Sequence, residues 1–184
     1  MARATLEAHL AERPLPAVPA VPGALLKRGA FVTLSERGAL RGCIGHIPPD
    51  RALGAVVQDM VVAAARDDTR FVPVEPEELP FLVVDISVLS EPVPLAAPVD
   101  PSWIVVGRDG LIVRRQRRIA VLLPQVAAEY HWGPEAFLAA VCRKAGLPPG
   151  GWQEPGTEVL VFQADVFGEA GEPTGEGERE KGNE

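Results

Sequence analysis

Two runs of alternating apolar residues, 30–35 and 39–47, are separated only by Glu36-Arg37-Gly38. A connection that short cannot carry a crossover, so the two strands must pair antiparallel as a hairpin. Further strands are predicted at 81–89, 103–106, 110–114, 118–123 and 158–167; in the first of these Leu82, Val84, Ile86 and Val88 alternate with Val83, Asp85 and Ser87. Arg114-Arg-Gln-Arg-Arg118 lies between two of them and reads as a charged hairpin tip, since charge discourages pairing at an exposed edge. Helices are expected where the period lengthens. Leu6 and Leu10 stand one turn apart ahead of Pro14, and a helix over 51–66 follows Pro48-Pro49 with Asp50 at its N-cap. That helix has only Gln58 and Asp59 as interior polar positions and should be buried on most sides. Two more, 124–130 and 134–146, each open on a proline, and the second closes on Gly146. Four prolines within 14–22 leave an extended surface crossing. Hairpins with helices grouped between them define an α+β fold, an antiparallel sheet flanked by helices.

At 184 residues the chain suits one compact domain, or two small lobes sharing a core. Its net charge of −7 is uneven, because six of the 25 acidic residues fall in 169–184. A nearly neutral body with an acidic tail lacks the basic face that nucleic-acid binding needs. The tail carries no large apolar side chain to offset chain entropy, so 169–184 is expected to be disordered and dispensable, with the folded domain ending at 168. No apolar run approaches the roughly 18 residues of a membrane span, and the N-terminus has no apolar signal core. A cytoplasmic protein is expected. Two cysteines, Cys43 and Cys142, do not make a disulfide framework.

The densest unusual run is Leu40-Arg-Gly-Cys-Ile-Gly-His46. Glycines on both sides of a strand cysteine weaken the strand, which implies a bulge or the close approach of another backbone or a ligand. Arg41 and Cys43, two apart, project from one face of a regular strand about 7 Å apart, and a guanidinium at that range favours a thiolate. His46 falls on the other face, so a Cys43/His46 dyad requires a bulge at Gly45. The alternative is that Cys43 is a small core residue, since free cysteine is among the most buried residue types. Cys142 shares a helical stripe with Leu138 and should be buried. His9, His46 and His131 lack metal-ligand spacing, and His131 beside Trp132 suits capping or packing, so no metal site is expected. Neither a phosphate-loop pattern nor a G-x-S-x-G elbow occurs, and the sequence names no cofactor.

Gly29-Ala-Phe-Val-Thr-Leu34, Leu40-Arg-Gly-Cys-Ile-Gly45, Asp68-Thr-Arg-Phe71, Pro76-Glu-Glu-Leu-Pro80, Ile86-Ser-Val-Leu-Ser90, Gly110-Leu-Ile-Val113, Leu122-Leu-Pro-Gln-Val126 and Lys144-Ala-Gly-Leu147, in that order, resemble the AMMECR domain family over residues 1–168. The resemblance implies an α+β fold with two unequal lobes and a cavity between them near the R-G-C-I-G strand. Prokaryotic members are similar to component A of the AmmeMemoRadiSam system, which implies Memo-like and radical SAM proteins as partners. Carried over by position, the site residues are Leu40, Arg41, Gly42, Cys43, Ile44 and Gly45. His46 departs from the threonine common at that position in eukaryotic relatives. Two functions follow as expectations. One is an enzyme or enzyme component using Cys43 with Arg41 on a small substrate; the other is a binding or adaptor module that uses the same strand as a recognition surface.

Overall fold

A computed structural model describes residues 1–169, and the chain divides into two compact units. The first comprises residues 1–46 and 51–86 with the described residues from 166; the second comprises 47–50 and 87–165. In chain order the first unit carries α1 (Ala2–Leu10), α2 (Pro22–Leu25), β1 (Ala30–Glu36), β2 (Ala39–His46), α3 (Leu53–Arg66), a 3-10 turn (Pro76–Phe81) and the start of β3 (Leu82–Leu89). The second carries β4 (Val93–Pro94), β5 (Gly110–Arg115), β6 (Arg118–Leu122), α4 (Pro124–Glu129), α5 (Pro134–Lys144) and β7 (Glu158–Phe162). After β7 comes β8 (Ala164–Gly168). Two four-stranded sheets result, ordered β2-β1-β3-β8 and β4-β7-β5-β6. The pairings of β1 with β2, β4 with β7, and β5 with β6 and β7 are all antiparallel. The fold is the α+β class that the sequence implies.

The first hairpin closes through Arg37 and Gly38, both at positive φ (51° and 82°), the conformation whose twist matches two antiparallel strands. Ala30, Val32 and Leu34 of β1 are fully buried on one face of the sheet. They share a core with Leu6 of α1 and with Val56, Val57, Val61, Ala64 and Ala65 of α3. Helix α3 is thus buried on most sides, as its composition requires. Gln58, one of its two interior polar residues, donates to the Pro16 carbonyl at 2.7 Å and fastens the proline-rich crossing. The helix starts later than Asp50 would allow: Ala52 bridges to Lys27 in extended conformation and itself becomes the N-cap.

The second unit buries Phe137, Leu138, Val141 and Cys142 of α5 with Leu111, Val113 and Val159 of the sheet. The basic run does form the β5–β6 tip, where Arg114 pairs with Glu158 and Arg115 with Glu154. Two expected strands differ. Residues 103–106 form no strand, because Asp100 caps a short 3-10 turn (Pro101–Trp103) and Asp109 accepts from the Val105 N–H. The run 158–167 splits at Gln163, whose backbone exchanges two hydrogen bonds with Ser90, leaving β7 and β8 in different sheets. Glu169, the first residue of the expected tail, is docked: it exchanges hydrogen bonds with the Val84 backbone and forms an ion pair with Arg3. The expectation of disorder for the remainder concerns residues 170–184, which lie outside the described residues.

Candidate functional site

Strand β2 pairs with β1 in a register that slips once. Leu34 faces Gly42 and Ser35 faces Leu40, so Arg41 is the extra residue of a β-bulge. Beyond the bulge the ladder is regular through Thr33 opposite Cys43 and Phe31 opposite Gly45 to Ala30 opposite His46. The bulge that a Cys43/His46 dyad requires at Gly45 is therefore not there. Cys43 and His46 point to opposite faces, and the dyad is corrected.

The glycines explain themselves by packing. A Cβ on Gly42 would stand 2.2 Å from the Ala64 carbonyl oxygen, so this glycine lets β2 lie directly on the backbone of α3. Ile44, on the same face, packs against the first core. At Gly45 a Cβ would run into the Phe31 ring, 2.2 Å from its nearest carbon. Leu40 is exposed near the hairpin turn. Since Gly42 and Ile44 face the helix, Cys43 faces away from it. The structure thus removes Cys43 from the core that spacing alone permits, and leaves it half-buried on the outer face. There the Thr33 hydroxyl donates to Cys43 Sγ at 3.3 Å.

The backbone at Cys43 is held by a residue far along the chain. Its N–H donates to Asp68 Oδ2 at 2.8 Å. Asp68 follows the C-cap of α3 and has a side chain only 5% exposed. The same carboxylate takes Arg70 side-on, from Nε at 2.9 Å and Nη2 at 2.6 Å, and also accepts the Arg70 N–H at 3.2 Å. Arg70 Nη2 lies 3.4 Å from the Cys43 carbonyl oxygen. The Arg70 hydrogen bonds, with the Cys43 and Arg70 N–H groups behind them, hold Asp68 well below the usual carboxylate range against the opposing effect of burial. Asp68 in turn raises Arg70 above its ordinary value.

Arg41 is engaged elsewhere. Its Nε and Nη2 clasp Glu78 at 2.6 and 3.0 Å, and Nη1 and Nη2 donate to the Val72 and Pro73 carbonyls. Glu78 is lowered chiefly by that guanidinium, and it also accepts the Glu75 N–H. Phe71 lies between the two arginines, its ring centroid 5.5 Å from the Arg70 guanidinium carbon and 6.0 Å from that of Arg41. Val74, buried, anchors the loop to α3 through its N–H to the Ala65 carbonyl.

The site thus gathers Cys43 and Thr33 from the hairpin with Asp68, Arg70 and Phe71 from the loop after α3, and Arg41 with Glu78 beside them. Asp68 and Arg70 were not among the residues read as functional, although both stand in the Asp68-Thr-Arg-Phe71 motif. Nothing along the chain ties that motif to a strand 25 residues earlier. Among the described residues no group of three or more His, Cys, Asp or Glu side chains is placed to hold a metal ion. Nor is any helix among them long and apolar enough to cross a membrane.

This architecture is shared with a solved structure. The crystal structure of an uncharacterized protein from Pyrococcus horikoshii matches it with a TM-score of 0.86 and 41% sequence identity, over 91% of this chain and 87% of that one. A protein of Methanothermobacter thermautotrophicus is 49% identical over 148 residues, 79% of this chain and 77% of its own length. One from Methanosarcina barkeri is 43% identical over 183 residues, 96% of this chain and 90% of its own. The AMMECR1 family model matches residues 1–167, and the chain belongs to that family.

Proposed function

We propose that the protein is an enzyme, or a component of one, in which Cys43 is the nucleophile or ligand for a small substrate and Arg41, clasped by Glu78, braces the strand that carries it. The observation that carries this reading is the Thr33 hydroxyl donating to Cys43 Sγ on the face of β2 turned away from α3. A sulfur that meets a hydroxyl donor on a half-open face is presented to an incoming electrophile rather than packed away from it. A packing role would have placed Cys43 on the opposite face, among Val32 and Leu34. In keeping with the resemblance, the protein would work beside Memo-like and radical SAM proteins. Both cysteines are free, which suits the cytoplasm. Of the residues carried over, Cys43 bears the chemistry and Arg41, held by Glu78, braces the strand, with Leu40 and Gly45 lining the approach; Gly42 and Ile44 support the strand from the α3 side.

The test is untargeted binding of small metabolites to the wild-type protein and to Cys43→Ala, with folding checked by circular dichroism. A metabolite held by the wild type and lost from a folded Cys43→Ala supports the proposal. Ligands held equally by both proteins would favour the second reading, a recognition surface in which Cys43 plays no chemical part.

A further inference from the structure

Two arginines adjoin β2, Arg41 from the strand itself and Arg70 from the loop after α3, and they are not equivalent. Arg41 donates from Nε, Nη1 and Nη2 to Glu78 and two carbonyls, and its neighbour Glu78 is itself fixed in a turn. Arg70 is held along one edge only. Asp68 takes Nε and Nη2, and the carboxylate cannot swing away because it is buried and bound to two backbone N–H groups. That leaves Nη1 of Arg70 without a partner among the described residues, on a side chain 55% exposed and adjoining Cys43. A guanidinium clamped by a buried carboxylate loses little entropy when it binds, and its planar fork suits a carboxylate or another oxyanion.

Resting on the reading of Cys43 as the reactive thiol, we propose that its substrate is anionic: Arg70, positioned by Asp68, receives a carboxylate or similar oxyanion through Nη1 while the electrophilic carbon meets Sγ. Arg70 is then the specificity-determining residue and Asp68 its positioning residue. The phenyl ring of Phe71 keeps the guanidinium plane from folding outward.

A pair of alkylating probes tests this without knowledge of the natural substrate. Iodoacetate and iodoacetamide react alike: the thiolate attacks the methylene carbon, a C–S bond forms, and iodide leaves with the C–I electron pair. Only the first carries a carboxylate. Because both consume the thiolate, the ratio of their rates cancels its abundance and reads the charge preference of the site alone. Rates at Cys43, resolved by peptide mapping, are compared with those of N-acetylcysteine in the same buffer. The expected iodoacetate-to-iodoacetamide ratio at Cys43 is about tenfold above that reference or more, the scale of one charge-assisted hydrogen bond. In Arg70→Gln it falls to the reference, whereas Arg13→Gln, with the same change in charge at an exposed site, retains it.

If Arg70→Gln loses its circular dichroism signal, competition on the wild type decides. Sodium acetate should slow iodoacetate, but not iodoacetamide, relative to sodium chloride at equal ionic strength. A wild-type ratio equal to the reference, with both probes reacting quickly, overturns the anionic substrate and leaves the reactive thiol standing. Failure of both probes on the native protein overturns the thiol itself.

Discussion

The two cysteines occupy opposite extremes of what a fold can do with a thiol. Cys142 lies on α5 in the core of the second unit, fully buried beside Leu138 and Val141. Burial pushes its pKa up, which favours the neutral, inert form. Cys43 lies on a strand whose neighbouring glycine is pressed against α3, and this turns the sulfur outward toward Thr33, while the Asp68–Arg70 pair holds its backbone. Residue type is the same and chain context differs: a helix with an apolar stripe covers its cysteine, while a strand with glycine on its inner face exposes one. Exposure alone is not what separates them. The polar frame at Cys43 is assembled from a hairpin and a distant loop, and its buried carboxylate accepts four hydrogen bonds that fix that arrangement.

Buried aspartates sharpen the point. Asp109 in the second unit is built like Asp68: it is buried, bound to an adjacent arginine, Arg108, and accepts a backbone N–H. Its N–H comes from Val105, four residues away, so it closes a local turn. Asp68 takes its N–H from Cys43, 25 residues away, and so couples a loop to the strand that carries the thiol. The backbone bond of the one closes a local turn, and that of the other spans 25 residues.

The largest expected effect comes from charging each thiol position in turn or sparing it. Cys142→Asp buries a carboxylate with no cationic partner in an apolar core, and it should cost more than about 4 kcal/mol or leave the protein insoluble. Cys43→Ser should stay within about 0.5 kcal/mol of the wild type, because the serine hydroxyl still meets Thr33 on a half-open face. Denaturant midpoints measure both. A well-folded Cys142→Asp protein would dissolve the contrast.

A smaller effect is expected at Asp68, and its pH dependence has a definite sign. The folded protein depresses this carboxyl, so it stabilises the fold above the ordinary aspartate value of about 4, and that contribution drains away as pH falls below it. Asp68→Asn gives up the ion pair and weakens the bond to the Cys43 N–H, a loss of about 2 kcal/mol at pH 7. Denaturant midpoints of wild type and Asp68→Asn should therefore differ most at pH 7, with the gap narrowing as pH falls from 4 to 2.5. A gap that persists unchanged in acid would mean that the charge of Asp68 is not what holds the strand.

Much of the frame was legible in the sequence because it is written in local terms. Glu36-Arg37-Gly38 fixed the hairpin, the apolar run after Pro49 marked α3 as a core helix, and glycines around Cys43 announced a close backbone approach, found at Ala64. What escaped had non-local or competing causes. Residues 103–106 have strand composition, but two aspartates bend them into turns. The run 158–167 looks like one strand until Ser90 claims Gln163. Arg41 sits two residues from Cys43 and invited pairing with it, yet a bulge and Glu78 take it aside. Arg70, 27 residues away in sequence, is the guanidinium that adjoins Cys43. Spacing along a strand locates a face; it cannot say which loop will be packed over that face.

Native-state alkylation with iodoacetamide, followed over pH and mapped to each cysteine, bears most directly on Cys43 as a thiol presented for chemistry. Cys43 should be modified while the protein remains folded, and Cys142 only once denaturant unfolds it. Modification of Cys43 only on unfolding, in step with Cys142, would make both cysteines structural and contradict the assignment.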